Sequence, residues 1–303
     1  MFTTLLAVVV ALALGHLAQP LAAAVRQFGW FGQWLRWIDG RFPGDGFWRG
    51  RYGIVLALVP PLLLVGLFQL AMDGTVFGLP SIVFGIVVLF YAWGPRDLDA
   101  DVDAIVQTDD PVARHAAAAR LWPAGEAVSL SGSSLVGAVF RSAKRRWFGV
   151  LFWFLVLGPV GALLYRLAAI AAEGDGNHLL PAGTLSGARG LLRLLDWPVA
   201  QLMTLAMALV GNFDAVFTAW RENAGASFAL DAGFLAAAAR ACVRIELAEE
   251  ASEETESGVQ IGGAMVAVAP ELPELQDAMS LAWRVLLVWT AVMALFVVAG
   301  WVS

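Results

Sequence analysis

The residues of this chain that could do chemistry are few, and they stand at the ends of apolar runs. Lys144, Arg145 and Arg146 form a basic cluster directly before a long apolar stretch, Tyr165 and Arg166 lie near the far end of that stretch, and Asp196 and Asp214 flank the next one. Guanidinium and ammonium groups beside a phenol suit an anionic ligand, and carboxylates near them suit proton transfer. Lys144, Arg145, Arg146, Tyr165, Arg166, Asp196 and Asp214 are therefore the candidate ligand-binding positions. Each also has a plainer role. The three cations before Trp147 sit where anionic lipid is worth about 1 kcal/mol per charge. Arg166 follows Trp147 by nineteen residues, about 28 Å of helix, which would place it at the opposite membrane interface, where its head snorkels. Asp214, after Gly211-Asn212, is placed to meet the polar segments inside the cell.

Other signals fail on inspection. Asp97, Asp99 and Asp101 match the opening of a calcium loop, but Val102 stands where that loop needs Gly and Thr108 where it needs Glu. The alternation marks instead an acidic helix start after Pro95. Ser129 to Gly137, SLSGSSLVG, lacks the Gly-Lys-Ser/Thr of a phosphate loop and reads as a flexible linker. His16, His115 and His178 lie in different segments with no Cys at ligand spacing, so no metal site is expected. No residue is assigned as catalytic, and no cofactor is implied.

The elements that must position these residues are membrane helices. Hydrophobic residues make up 59% of 303 positions, charged residues 15%, and thirteen are Trp, a composition that a water-soluble core could not hide. Six stretches approach the roughly 20 apolar residues of a span: 3–24, 52–72, 77–93, 147–170, 197–217 and 285–302. The first lacks a basic start and reads as a retained helix, with His16 and Pro20 facing other helices. Gly158-Pro159 breaks the fourth. Of nineteen Lys and Arg, five lie in Arg26–Arg51, seven in Arg96–Arg146 and four in Arg221–Arg284. The positive-inside bias then puts these three segments in the cytoplasm and both termini outside. An all-α bundle of about six spans in a bacterial inner membrane is the expected architecture, with residues 1–93, 94–146, 147–220, 221–284 and 285–303 as its successive parts.

The polar segments read as amphipathic helices on the inner face. Trp30, Phe31, Trp34, Leu35 and Trp37 interleave with Arg and Gln, as in a helix lying at headgroup level. Leu98, Val102 and Val106, then Val112, Ala116 and Ala119, recur at helical spacing, as do Phe228, Leu235, Cys242 and Ile245. The acidic run from Glu246 to Glu256 reads as a solvated, mobile segment rather than a docking surface. The single Cys242 allows no internal disulfide and reads as a buried thiol.

LFWFLVLGPVGALLYRL, followed by LLRLLDWPVAQLMTLAMALVGNFDAVFTAW, resembles the AmpE family of inner-membrane signalling proteins tied to beta-lactamase induction; Leu195-Asp196-Trp197, Gly211 and Trp220 carry it most specifically. The same segments resemble, more distantly, the membrane enzyme of cobalamin synthesis that makes adenosylcobinamide phosphate by joining an aminopropanol to a corrinoid carboxylate. That family has a Glu-Ser-x-Ala-Glu-Asn run and an Asp-Gly pair before this helix and an Asn-Thr-Leu-Asp run after its Tyr-Arg or Tyr-Lys. Here FRSAKR occupies 140–145, Phe148 precedes Gly149, and LAAIAA follows Arg166. With those acids replaced, the resemblance implies a non-enzymatic signalling protein of the AmpE kind, with lipid and a cell-wall-derived ligand or signalling protein as partners and no nucleic acid. The alternatives are a membrane enzyme or cofactor-binding protein related to the cobalamin enzyme, with Arg145, Arg146, Asp196 and Asp214 converging on one pocket, and a transporter or lipid-handling protein.

Overall fold

The computed structural model describes residues 10, 25–42, 44, 46–72, 79–94, 97–123, 125–174, 177–227, 230–256 and 272–298. The expected first span, with His16 and Pro20, lies outside them apart from residue 10, as does Phe228. Among the described residues every regular element is a helix, so the all-α expectation is met. Three helices are long and apolar enough to cross a membrane, Gly53–Met72, Ala182–Val210 and Pro273–Leu295, and Pro80–Ala92 is a shorter apolar one. The chain divides into two compact units, one of residues 1–97, 145–199 and 292–303, the other of 98–144 and 200–291.

In the first unit, α1 (Gly29–Arg41) buries Phe31, Leu35 and Ile38 on one face and leaves Trp30 and Trp37 exposed, the amphipathic helix that its sequence predicts. Trp37 stacks on Trp34 at 5.1 Å. The next helix, α2 (Gly53–Met72), is apolar all round and exposes Leu63, Leu64, Leu67 and Leu70, a surface that suits lipid tails and not water. Next comes α3 (Leu79–Ala92).

The stretch 147–170 departs from expectation. It forms two helices, α7 (Gly149–Leu157) and α8 (Pro159–Glu173), that fold back on each other. Gly158 between them has φ 67° and ψ −152°, a conformation closed to residues with a Cβ, and Pro159 starts the second arm where its missing N–H costs nothing. Close approach needs bare backbone: a Cβ on Gly161 would strike the Trp153 carbonyl, and one on Gly149 would strike the Tyr165 ring. Hydropathy predicts a single span here because it registers apolar length and not the direction of the chain. The expected placement of Arg166 at the far interface goes with it. Beyond the hairpin, α9 (Ala182–Val210) begins well before the expected residue 197.

In the second unit, α4 (Leu98–Val106), α5 (Pro111–Ala118) and α6 (Gly132–Ala143) are short helices, as expected of 94–146, but the expected stripe of Val112, Ala116 and Ala119 is exposed, because α5 turns Arg114, Ala117 and Ala118 inward. Asp99 and Asp101 lie in the first turn of α4, as read from the sequence. Asp110 caps α5 by accepting from the backbone N–H groups of Val112 and Ala113, both at 3.2 Å, an arrangement worth about 1 kcal/mol. SLSGSSLVG is not a linker throughout: Ser131 precedes α6, its hydroxyl donates to Ser134 Oγ at 2.8 Å, and the rest is helical. The unit is completed by α10 (Phe213–Glu222), α11 (Gly233–Glu256) and most of α12 (Pro273–Val298). α11 continues to Glu256, so the backbone of the acidic run is helical and not irregular. Leu235 and Cys242 of its apolar stripe are buried.

Candidate functional site

The hairpin gathers a polar group inside the first unit. Because the arms run back along each other, Arg145, at the entry to α7, meets Glu173, the last residue of α8, in an ion pair. Tyr165, further inward along the same arm as Glu173 and wholly buried, donates its hydroxyl to Asp196 Oδ1 at 2.7 Å. Arg145 and Glu173 lie close enough to act electrostatically on the same phenol. Asp196 is held from α9, where Trp153 of α7 donates its indole N–H to the neighbouring Leu195 carbonyl at 3.1 Å. The Tyr165 ring is admitted only because position 149 is Gly. Arg145 Nε is buried and has no hydrogen-bond partner among the described residues.

Thus Arg145, Tyr165 and Asp196, three of the expected positions, come together with Glu173, which sequence reasoning missed. A signal for it existed. Glu173 is the sole acid between Trp147 and Gly174, and a carboxyl at the end of an apolar helix is a functional flag by default. The arrangement pairs a phenol with a carboxylate and a guanidinium with another carboxylate, a chemistry suited to moving a proton between neighbouring oxygens.

Arg166 and Arg146 do different work. Arg166 is 6% exposed and donates from Nε to the Ala92 carbonyl at 2.9 Å and from Nη2 to the Trp93 carbonyl at 2.7 Å. Arg26 donates to the Phe90 and Gly94 carbonyls at 3.0 Å each, and its guanidinium lies 4.7 Å from the centre of the Phe90 ring. Together they cover the end of α3, whose last carbonyls have no partner within the helix and carry negative dipole charge. Burial pulls the Arg26 pKa down to about 10, still protonated at neutral pH. Arg146 continues the same strap: its backbone carbonyl accepts from Gly94 N–H at 3.2 Å, and its Nη1 reaches the Asp97 carbonyl at 3.5 Å.

Lys144 and Asp214 belong to the second unit. Lys144 is 5% exposed. Asp214, exposed in the first turn of α10, lines a groove of about 960 Å³ formed by α6, α10 and α11. Elsewhere in that unit the buried Cys242 thiol packs against Gly211, and burial raises its pKa above the ordinary 9.0. Among the described residues no group of His, Cys, Asp or Glu is arranged to hold a metal.

Comparison with known proteins redirects the functional reading. No protein-family model matches the chain, and no solved structure matches it. It is 28% identical over 301 residues to the cobalamin biosynthesis protein CobD of Stutzerimonas stutzeri (strain A1501), covering 94% of this chain and 92% of that protein. It is also 28% identical over 207 residues to the cobalamin biosynthesis protein CobD of Chromobacterium violaceum, covering 66% of this chain and 64% of that protein. These matches overturn the expectation of a non-enzymatic AmpE-type protein acting in beta-lactamase induction, because both relatives belong to cobalamin synthesis. The chain is a distant homologue of CobD cobalamin biosynthesis proteins over most of its length.

Proposed function

We propose that this chain is an inner-membrane enzyme of bacterial cobalamin biosynthesis that holds a corrinoid intermediate and forms an amide on one of its carboxylates. The observation that carries this reading is the similarity to CobD of Stutzerimonas stutzeri across 94% of the chain. The related family's acidic runs are missing around the hairpin, but carboxylates return there from other positions. Glu173 and Asp196 stand beside Arg145 and Tyr165 in the first unit. In amide formation an amine attacks a carboxyl activated as an acyl phosphate or adenylate: the C–N bond forms, the C–O bond to the departing phosphate or nucleotide breaks, and the amine loses a proton. Tyr165 and Asp196 form a connected donor and acceptor for that proton, and Arg145 offers a cation to the carboxyl oxygens. The polar segments face the cytoplasm in this reading, where activated precursors are made.

The test is nutritional. A strain lacking the gene is expected to make no cobalamin from a corrinoid carboxylate, yet to make it from a corrinoid already carrying the amide. The wild-type gene restores the first route, and Tyr165→Phe or Asp196→Asn restores it weakly. Normal cobalamin synthesis in the deletion strain would overturn the proposal. FRSAKR at 140–145 favours a second reading, corrinoid binding without turnover. In that case the purified protein alters the visible spectrum of the corrinoid while its gene fails to restore synthesis.

A further inference from the structure

Charged side chains of both signs line the groove of the second unit. Arg240 and Arg244, one turn apart on α11, are both exposed into it, and neither has an ion pair or side-chain hydrogen bond among the described residues. Two like charges at this spacing destabilise a helix by a few tenths of a kcal/mol when nothing lies between them. The facing helix, α10, presents Asp214, Thr218 and Glu222, spaced four apart, to the same groove, and Glu274 of α12 adds a third carboxylate beside Gly132. These acids do not reach the two arginines: no ion pair within 4.0 Å joins the two rows. At the α6 side, Arg240 lies over Gly137, where a Cβ would come within 3.1 Å of its Nη1. A larger residue at 137 would displace that guanidinium.

We propose that this groove is a binding site for a small molecule bearing a phosphate or carboxylate group, which Arg240 and Arg244 grip together. Two guanidinium forks at one turn's separation match the oxygens of a single oxyanion. The acids of α10 orient the ligand, because the anion is drawn to one row of charges and pushed from the other. Thr218 and Asn223 supply neutral hydrogen-bonding groups along its length. The proposal does not depend on the cobalamin reading, since it uses residues of the other unit and no property of a corrinoid.

Calorimetry on the full chain in nanodiscs of neutral lipid, titrated with inorganic pyrophosphate, tests it. One ion per chain is expected to bind, and R240Q with R244Q should weaken binding about tenfold or more. D214N with E222Q should strengthen it, because a repulsion is removed. Nanodiscs containing phosphatidylglycerol separate two sources of the anion: competition with pyrophosphate that R240Q with R244Q abolishes assigns the groove to a lipid headgroup, and its absence assigns it to a soluble ligand. Either result supports the site. Failure of both probes to bind, or binding unchanged in the folded double variant, as judged by its circular dichroism melt, would overturn it.

Discussion

Tyr165 shows how much one residue of the hairpin has to satisfy. Its ring needs the bare backbone of Gly149, and its hydroxyl needs Asp196. Replacement by Phe leaves a buried carboxylate short of a donor, so Tyr165→Phe is expected to cost about 1–3 kcal/mol in thermal or denaturant unfolding. Asp196→Asn keeps an acceptor oxygen and should cost less; equal losses would mean that the hydrogen bond does not hold the cluster together. Cys242 gives a second prediction. Burial raises its thiol pKa, so the folded chain holds that proton at pH values where an unfolded chain has lost it. The thiol's contribution to stability is therefore present below the ordinary value of 9.0 and is lost as pH rises through the raised one. Alkylation by iodoacetamide should be slow at pH 8 in the native protein and fast after unfolding. Rapid native labelling at that pH would contradict the buried site. The sequence made Tyr165, Asp196 and Arg145 visible as polar exceptions beside apolar runs. It did not separate Arg166 from them, because an arginine that caps a helix of distant sequence looks the same as one that meets a ligand or headgroup.

At the scale of elements, Gly158 decides the path of the chain. Its backbone lies where only Gly is comfortable, so Gly158→Ala should cost about 1–3 kcal/mol or straighten the hairpin. A straight helix from position 146 to 174 would be roughly 42 Å long, whereas packed arms lie about 10 Å apart. Spin labels at Arg146→Cys and Gly174→Cys are therefore expected to report the short distance, and the long one would refute the hairpin. The Gly-Pro break could be read from the sequence, but its consequence could not. A glycine at 149 or 161 gains meaning only when the residue 16 or 8 positions away is known to lie against it. The amphipathic elements were easier to place than to orient: Phe31, Leu35, Leu98 and Val102 are buried as their spacing implies, whereas Val112, Ala116 and Ala119 recur at helical spacing and yet are exposed.

At the scale of the whole molecule, the basic segments before Trp147 and after Trp220 enter one compact unit, in which α6 packs on α11. Packing of this kind cannot occur across a bilayer, so the two segments are expected on one side of it, although the span count from which the charge pattern was first read loses the stretch 147–170 to the hairpin. Val112 is 77% exposed, and Asn223 is exposed at the end of α10, so cysteines at these positions report the side directly. In intact cells with a permeable outer membrane, neither Val112→Cys nor Asn223→Cys should react with a membrane-impermeant maleimide, and both should react once the inner membrane is opened. Labelling of both in intact cells would invert the orientation and leave the unit standing. Labelling of one alone would break the unit, because residues whose helices pack into one body cannot face opposite sides of the same membrane.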